Sequence, residues 1–369
     1  MDNRYCIADA EKLITPALVY YPDIIEANID KMIEMAGGPD RLCPHVKTFK
    51  TPQVVRLLMK KGIRSFKCAT IAEAEMVADC GADRIILAYP LVGVSISRFL
   101  NLCRLYPNTT FFAIGDDETQ IKNLSCAAVS EGIRVPFLLD IDTGLHRTGV
   151  VPARAADLYP LLCTFPGLSP LGFHVYDGQH HEADASVRNA AVNKESEAVF
   201  ALQAHLKELG FPCDLIVAGG TPTFPCHIPE DVLLSPGTCI IQDAGYKSAY
   251  QDLPFEIAGL VLTRVISHPG EDLFTLDLGC KAVATDPPIP RAIVLDFEDC
   301  ETVIHNEEHL VLRLPAGEIH RRPAIGAILY AAPWHTCPTT MLYPEILVAQ
   351  NNQIVDIWPV TARDRRIQV

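Results

Sequence analysis

Hydrophobic positions follow two alternating spacings over the first two thirds of the chain. Short apolar runs, typical of buried strands, are followed by longer stretches in which apolar residues recur every three or four positions, as in amphipathic helices. Residues 22–36 show the helical spacing, and Gly37-Gly38 predicts the end of that helix. Such an alternation of strands and helices is typical of a parallel sheet.

Eight candidate strands follow one another in this pattern. They are Leu42–Lys47, Ser65–Ala69, Arg84–Tyr89, Thr110–Gly115, Pro136–Asp142, Leu171–Tyr176, Asp214–Gly220 and Val232–Ile241. Eight strand–helix units predict an α/β fold with a closed (β/α)8 barrel of the TIM type. The alternative is an open, doubly wound sheet. Both folds place their functional residues at the carboxyl ends of the strands.

After about Tyr246 the helical spacing gives way to successive strand-like runs. These runs are Ile257–Ile266, Leu273–Leu278, Ala292–Phe297, Ile325–Tyr330, Glu345–Gln350 and Gln353–Val360. Asn351-Asn352 predicts a hairpin turn between the last two. We therefore predict a barrel domain over residues 11–245 and a C-terminal β domain over residues 246–369, which also includes residues 1–10.

Composition narrows the class of protein. The chain has 369 residues, of which 49% are hydrophobic, and its net charge of −14 argues against a nucleic-acid-binding surface. The polar N-terminus and the lack of a long apolar run predict neither a signal peptide nor a membrane span. Thirteen scattered cysteines, an odd number, favour reduced thiols and a cytoplasmic location.

The carboxyl ends of the predicted strands carry the candidate chemistry. Lys47 ends the first strand, where an amine facing the barrel mouth is a candidate Schiff-base former; the alternative is a solvated surface charge. Arg147 and Tyr176 follow the fifth and sixth strands. Gly219-Gly220-Thr221 and Gly237-Thr238 stand towards the carboxyl ends of the last two, where barrels often bind phosphate, although glycines also simply permit tight turns. A lysine beside a phosphate site predicts pyridoxal phosphate.

A second candidate site lies in the C-terminal domain. In an extended strand, His335 and Cys337 would project to the same side. Imidazole and thiolate together suit Zn²⁺ or a similar divalent ion, and two protein ligands leave positions for water and substrate. The alternative is a strand in which both side chains only pack.

Eight motifs resemble one known family, in order and over nearly the whole chain. They are Pro44-His45-Val46-Lys47-Thr48, Phe66-Lys67-Cys68-Ala69-Thr70-Ile71-Ala72-Glu73-Ala74-Glu75, Asp142-Thr143-Gly144 with Arg147-Thr148-Gly149, Ala218-Gly219-Gly220-Thr221-Pro222-Thr223, Ser235-Pro236-Gly237-Thr238, Asp277-Leu278-Gly279-Cys280-Lys281-Ala282, Glu307-Glu308-His309 and His335-Thr336-Cys337-Pro338-Thr339. The chain resembles D-threonine aldolases and eukaryotic-type D-serine dehydratases, which are pyridoxal phosphate enzymes of the alanine racemase type (fold type III).

The resemblance implies a role for each candidate residue. Lys47 would hold pyridoxal 5'-phosphate, Arg147 would lie near the ring oxygen of the cofactor, and Tyr176 would lie beside its ring. The implied phosphate-binding residues are Gly220, Thr221, Gly237 and Thr238, and the implied ligands of a divalent metal (Zn, Mn or Mg) are His335 and Cys337. It also implies a homodimer acting on a small D-amino acid, with no nucleic-acid or membrane partner.

The implied activity is that of a lyase that cleaves D-threonine into glycine and acetaldehyde. One alternative is a metal-assisted dehydratase acting on D-serine or D-3-hydroxyaspartate, and a second is a non-catalytic pyridoxal phosphate carrier. Three positions depart from the family pattern: Phe49 and Gln179 stand where relatives carry histidine, and Pro90 where many carry glutamine. They leave the preferred substrate open.

Overall fold

The computed structural model describes residues 2–227 and 232–365. Its strands are β1 Ala17–Tyr20, β2 Ser65–Cys68, β3 Arg84–Leu87, β4 Thr110–Gly115, β5 Val135–Ile141, β6 Leu168–Val175, β7 Leu215–Ala218, β8 Val232–Leu234, β9 Gly259–Gly270, β10 Leu273–Leu276, β11 Ala292–Val294, β12 Glu301–His305, β13 Leu310–Arg313, β14 Ile328–Pro333, β15 Glu345–Gln350 and β16 Gln353–Pro359. Its α-helices are α1 Pro22–Ala36, α2 Pro52–Lys60, α3 Ile71–Asp79, α4 Val94–Leu105, α5 Glu118–Ser130, α6 Pro152–Leu162, α7 Ala185–Glu208, α8 Ala244–Ala249 and α9 Thr336–Thr340.

The described residues fall into two compact units. The barrel unit contains residues 32–47, 52–227, 232–237 and 364–365, and the β unit contains residues 2–31, 48–51 and 238–363. The domain boundary at residues 245 and 246 stays a prediction.

The barrel unit is built on parallel strands β2 to β8, each paired with the next along the chain. Residues 42–45 close this sheet, because Leu42 bridges Leu234 of β8 and His45 bridges Lys67 of β2, both in parallel. The predicted first strand, Leu42–Lys47, is thus wrong in its extent: it forms isolated bridges and then enters a 3-10 turn over Val46–Thr48. The predicted fold class is confirmed.

Apolar side chains from most strands meet inside the barrel. The cluster comprises Cys43, Ile86, Phe112, Ile114, Leu138, Val217 and Leu233, all buried. Ile86 of β3 and Phe112 of β4 pair in register, and Ile86 also pairs with Lys67 of β2. Side chains paired across neighbouring parallel strands face the same side of the sheet. Lys67 therefore lies in the same interior layer as two apolar residues.

Three helices of the barrel unit, α3, α5 and α7, begin at polar caps that follow the strands. Thr70, two residues after β2, accepts the backbone N–H of Glu73 at 3.1 Å, and the Glu73 carboxylate accepts the N–H of Ala69 at 2.6 Å. This reciprocal capping box starts α3. Asp117 and Asp184 cap α5 and α7 by accepting the backbone N–H of Gln120 at 3.0 Å and of Ser186 at 2.8 Å. Each cap ends a loop at the same edge of the sheet.

The β unit is organised by a sheet of nine strands within the described residues, in the order β12-β13-β10-β9-β1-β15-β16, with β14 on β9 and β11 on β14. The predicted hairpin of β15 and β16 is confirmed, and Asn351 and Asn352 have the left-handed φ values, 50° and 61°, that its turn needs. Strand β1 pairs with β9 and β15 in this sheet. Strands β12 and β13 were not predicted, although β13 begins with a short apolar run over residues 310–312.

Candidate active site

Lys47 lies at the end of the barrel where the parallel strands finish. It follows the residues that close the barrel, inside the 3-10 turn over Val46–Thr48. Its backbone N–H donates to Nδ1 of His45 at 3.3 Å, which helps to fix the turn. The Nζ atom of Lys47 lies 6.0 Å from the centroid of the Tyr176 ring. The amine predicted to bind the cofactor thus approaches the aromatic ring that follows β6.

Tyr176 is surrounded by cationic side chains. Besides Lys47, the Cζ atom of Arg147 lies 4.7 Å and the Nζ atom of Lys67 lies 5.5 Å from the ring centroid. The face of an aromatic ring attracts cations at such distances. Three positive charges this close together also repel one another, so a bound anion would be stabilised here. The predicted Lys47, Arg147 and Tyr176 are therefore brought together.

One glycine lets the backbone approach Tyr176 closely, and a second lies beside the ring. A Cβ atom on Gly178 would lie 2.4 Å from Cε1 of the ring, a distance at which the ring would have to move. A Cβ atom on Gly220 would lie 3.4 Å from Cε2. The predicted phosphate residue Gly220 thus lies against the edge of the ring, and Gly178 is required by steric contact.

Arg147 belongs to a loop that Asp142 organises. The carboxylate of Asp142, just after β5, accepts the backbone N–H groups of Gly144 and His146, both at 3.0 Å. Desolvation raises the pKa of Asp142, but these hydrogen bonds and the His146 imidazole outweigh it and hold the pKa below its ordinary value. The backbone N–H of Val150 donates to the carbonyl oxygen of Asp140, so the two ends of the loop are hydrogen-bonded to each other. These hydrogen bonds therefore fix the conformation of the loop that carries Arg147.

The first glycine turn, after β7, rests on a buried carboxylate. The backbone N–H of Gly220 donates to Oγ1 of Thr223 at 2.8 Å, and this hydroxyl donates to Asp177 at 2.7 Å. Nε2 of His227 donates to the other Asp177 oxygen at 2.7 Å. Burial raises the pKa of Asp177, but the contacts with His227 and Thr223 together outweigh it and hold the pKa below its ordinary value. The turn is thus held in place by the buried carboxylate of Asp177.

The second glycine turn, after β8, is tied to the first. The hydroxyl of Ser235 donates to the carbonyl oxygen of Gly219 at 2.8 Å. The backbone N–H of Gly237 donates to Oγ1 of Thr221 at 3.3 Å. Residues predicted to bind phosphate in the barrel unit therefore form one hydrogen-bonded pair of turns.

Thr238 and the two predicted metal ligands belong to the β unit. The prediction that His335 and Cys337 share an extended strand is wrong: His335 precedes α9, and Cys337 lies in its first turn. The two side chains nevertheless interact directly. Sγ of Cys337 also lies 3.2 Å from Oγ1 of Thr48 and 3.6 Å from Oγ1 of Thr238. The turn at the start of α9, where His335 is the N-cap with extended backbone, brings the pair together.

Asp286 completes the surroundings of His335, and it was not predicted. Its carboxylate contacts Nδ1 of His335 at 2.5 Å, which leaves Nε2 for another partner. Burial lowers the pKa of His335, but Cys337 and Asp286 outweigh it and raise the pKa to about 9. A histidine oriented by a carboxylate is the usual arrangement around bound metals. No group of three or more His, Cys, Asp or Glu side chains that could hold a metal occurs among the described residues.

Asp243 fixes the start of both short helices near this pair. One carboxylate oxygen accepts the N–H of Thr336 at 3.0 Å, and the other accepts the N–H of Tyr246 at 2.9 Å. Burial raises the pKa of Asp243 to about 6. The turn that carries His335 is therefore anchored by a buried acid.

The barrel interior also holds polar residues that were not assigned a role from the sequence. Lys67 is 2% exposed, and its ammonium donates to the hydroxyl of Ser235. Burial lowers the pKa of Lys67 to about 8, and the charge of Lys47 adds to this effect. The sequence signal for a buried lysine was its position in the middle of a short parallel strand, because such strands are buried on both faces.

Asp140 and His174 form a buried pair on β5 and β6. Nδ1 of His174 donates to Asp140 at 2.7 Å, and the Thr148 hydroxyl donates to the other carboxylate oxygen at 2.7 Å. Burial lowers the pKa of His174. Its buried Nε2 atom has no hydrogen-bond partner among the described residues. A buried nitrogen without a partner is expected to meet a ligand or water.

The positions that depart from the family pattern have different surroundings. Phe49 is completely buried, so it packs instead of facing solvent. The side-chain amide of Gln179 donates to Glu195 at 2.6 Å and to Thr143 at 3.1 Å. Pro90 is only partly buried. Through Thr143, Gln179 contacts the loop that carries Arg147, which makes it a candidate for an effect on substrate.

The barrel residues fit a cofactor that carries an anionic group and an aromatic ring. An amine, a guanidinium and a second ammonium surround one tyrosine ring, and glycine turns flank it. Among the described residues, Nε2 of His174 is a further buried polar atom of the barrel unit that has no hydrogen-bond partner. These groups match the chemistry of pyridoxal phosphate.

Comparison with known proteins identifies the family. The sequence profile of the alanine racemase N-terminal domain matches residues 22–244, more than half of the chain. The chain belongs to this family. A D-serine dehydratase-like domain profile matches residues 258–349. The resemblance stated from the motifs is thereby confirmed.

Individual relatives within this family agree over nearly the full length. A D-threonine aldolase from Arthrobacter sp is 29% identical, over 95% of this chain and 92% of its own. A D-threo-3-hydroxyaspartate dehydratase from Delftia sp. (strain HT23) is 25% identical, over 94% and 97%. The crystal structure of D-threonine aldolase from Filomicrobium marinum superposes with a TM-score of 0.88 at 27% identity, covering 96% of each chain.

Among the described residues, none of the helices combines the length and the apolar composition needed to span a bilayer.

Proposed function

We propose that this protein is a pyridoxal phosphate- and divalent metal-dependent lyase that cleaves D-β-hydroxy-α-amino acids between Cα and Cβ. D-threonine, yielding glycine and acetaldehyde, is the proposed substrate. The observation that carries this proposal is the convergence of Lys47, Arg147 and a glycine turn on the Tyr176 ring. It is supported by the aldolases among the full-length relatives.

In this proposal the barrel residues bind and orient. The Nζ atom of Lys47 is the amine that would hold the cofactor, and Arg147 would supply a fixed positive charge beside it. Gly220, Thr221, Gly237 and Thr238 would receive the phosphate. The bound cofactor would supply an electron sink for the bond that breaks. Asp177 would keep the first glycine turn in shape through Thr223.

His335 and Cys337 are the proposed ligands of the divalent metal. Asp286 would orient the imidazole so that Nε2 faces the metal, and Asp243 would hold the turn through the backbone N–H of Thr336. Two protein ligands leave coordination positions for water and for a hydroxyl group. A metal bound there would act as a Lewis acid.

A dehydratase is the second candidate function. It is favoured by the Delftia relative, which aligns with 94% of this chain. The same residues would serve both reactions, because the difference lies in which bond to the α-carbon breaks. A pyridoxal phosphate carrier is a weaker candidate, since the second profile extends to residue 349.

We further propose a barrel domain over residues 11–245, a C-terminal β domain over residues 246–369 with residues 1–10, a homodimer and a cytoplasmic location. These proposals rest on the sequence pattern and on the family.

The test is a product assay with purified protein, pyridoxal phosphate and Zn²⁺, Mn²⁺ or Mg²⁺. Glycine and acetaldehyde from D-threonine support the aldolase. Pyruvate and ammonia from D-serine would instead support the dehydratase. No product from either substrate, with the cofactor retained, would support the carrier.

The role of Lys47 is tested separately by borohydride reduction and peptide mapping. We expect the reduced cofactor on the peptide that contains Lys47, and its presence on Lys67 would refute the assignment. Lys47→Ala should lose at least 99% of the activity, as an order-of-magnitude expectation for the loss of a covalent catalyst (about 100-fold or more). Lys60→Ala is the matched control, because Lys60 is exposed at the end of α2.

A further inference from the structure

Lys67 is a buried cation that the proposed chemistry does not use. It lies in the middle of β2, is 2% exposed, and faces the same interior layer as Ile86. Moving an ammonium group from water into a protein interior is costly unless strong contacts compensate it. The group to which it donates a hydrogen bond is the neutral hydroxyl of Ser235. The buried charge of Lys67 therefore lowers the stability of the fold unless a further group compensates it.

The hydrogen bonds of Lys67 lead to both glycine turns. Its ammonium donates to Ser235, which immediately follows β8, and the Ser235 hydroxyl donates to the carbonyl of Gly219, which immediately follows β7. Ser235 also lies two residues before Gly237, whose N–H bonds to Thr221. One side chain on β2 thereby connects the ends of β7 and β8.

Within the part of the chain that the structure describes, the charged groups around Lys67 leave its ammonium without a dedicated counter-ion. Lys47 and Arg147 are cations near the same Tyr176 ring. Asp140 and Asp177 attract the ammonium, but each accepts hydrogen bonds from a histidine and a threonine. The Cys43 thiol is buried, and burial raises its pKa to about 12, so it stays neutral. An anion at the turns would supply the missing negative charge.

We propose that Lys67 is a positioning residue for the phosphate group of the cofactor, acting through Ser235 on the two glycine turns. The inference rests on the proposed function, because it takes the ligand to be a pyridoxal compound bound by Lys47. Lys67 stabilises the turns in the shape that receives the phosphate, and the phosphate in turn stabilises the ammonium.

The test compares two ligands that differ only in the phosphate. Binding of pyridoxal 5'-phosphate and of pyridoxal to the full-length chain is measured by equilibrium dialysis for the wild type and for Lys67→Met. Methionine has nearly the length of lysine and no charge. Loss of one charge-assisted hydrogen bond predicts about 10- to 100-fold weaker binding of the phosphate form. Pyridoxal binding should change by less than about threefold, which lies within the ordinary scatter of such contacts.

A purely structural role for Lys67 would give a different result. Equal weakening of both ligands, or no weakening of either, would overturn the inference while leaving the proposed function intact. A wild-type chain that bound neither ligand would overturn the proposed function as well. Lys60→Met, at an exposed position, is the control and should match the wild type.

Ser235→Ala provides a second, independent variant. It removes the hydroxyl through which Lys67 acts and should weaken the phosphate form selectively as well. The double variant should bind pyridoxal 5'-phosphate at most about threefold more weakly than the weaker-binding of the two single variants. Both changes break the same chain of contacts, so their effects should not add. Fully additive losses would show that the two residues act separately and would contradict the inference. If Lys67→Met fails to fold, the ligand comparison on Ser235→Ala decides.

Discussion

Replacing Lys67 by methionine should change how the stability of the protein depends on pH. Burial lowers the pKa of Lys67 from 10.5, its ordinary value, to about 8. The unfolded chain therefore binds more protons than the folded chain between pH 8 and pH 10.5, and stability contributed by this group rises with pH across that interval. Below pH 8 the side chain is charged in both states, and the folded state carries the full cost of burying it.

The size of the effect follows from the two pKa values. A pKa that falls from 10.5 to about 8 corresponds to roughly 3 kcal/mol. Lys67→Met removes this cost at neutral pH, because methionine fills a similar volume without a charge. At pH 7 we expect the variant to be more stable than the wild type by up to roughly 3 kcal/mol. That advantage should disappear as the pH rises through 8 towards 10.5.

Urea unfolding of the full-length chain without added cofactor, from pH 7 to pH 10.5, measures this difference. Other lysines, tyrosines and cysteines titrate in the same interval, but they are common to both proteins and cancel in the comparison. Lys60→Met retains Lys67 and should follow the wild-type curve. If the curves of Lys67→Met and the wild type stay parallel across the whole interval, Lys67 is not the buried cation described above.

Two further predictions concern contacts around the candidate site. Gly178→Ala places a Cβ atom 2.4 Å from the Tyr176 ring, so it should displace the ring and cost about 1–3 kcal/mol in urea unfolding; unchanged stability would contradict the close approach of the Gly178 backbone to the ring. Asp286→Ala removes the carboxylate that orients His335 and should lower the affinity for Zn²⁺ about 10- to 100-fold in a chelator competition. His320→Ala, an exposed histidine of the same unit, is the control for Asp286→Ala, and an equal loss in both variants would argue against the orienting role.

Periodicity predicted most of the barrel, because parallel strands buried on both faces are apolar runs and the helices between them are amphipathic. It failed where structure depends on contacts that are distant in sequence. Residues 42–45 look like a full strand, yet they only bridge β2 and β8. Strand β1 is apolar and near the N-terminus, and only pairing with β9 and β15 assigns it to the β unit.

The candidate site was predictable to the extent that its residues stand at strand ends. Lys47, Arg147, Tyr176 and Gly220 were chosen on that basis, and the structure brings them together. Asp286 could not be predicted, because it contacts His335 from 49 residues away in the sequence. The strand geometry assumed for His335 also failed, since two residues at such a spacing are equally compatible with the start of a helix.

Lys67 shows that position within a strand carries information of its own. Its neighbours Phe66 and Cys68 are buried, so β2 has no solvent-facing side on which a charge could lie. Any charged residue in the middle of such a strand must therefore be buried, whichever face it takes. Because a buried charge costs stability, a lysine there indicates either a dedicated counter-ion or a ligand. The acceptor of Lys67 is a neutral hydroxyl linked to two glycine turns, and this favours the ligand.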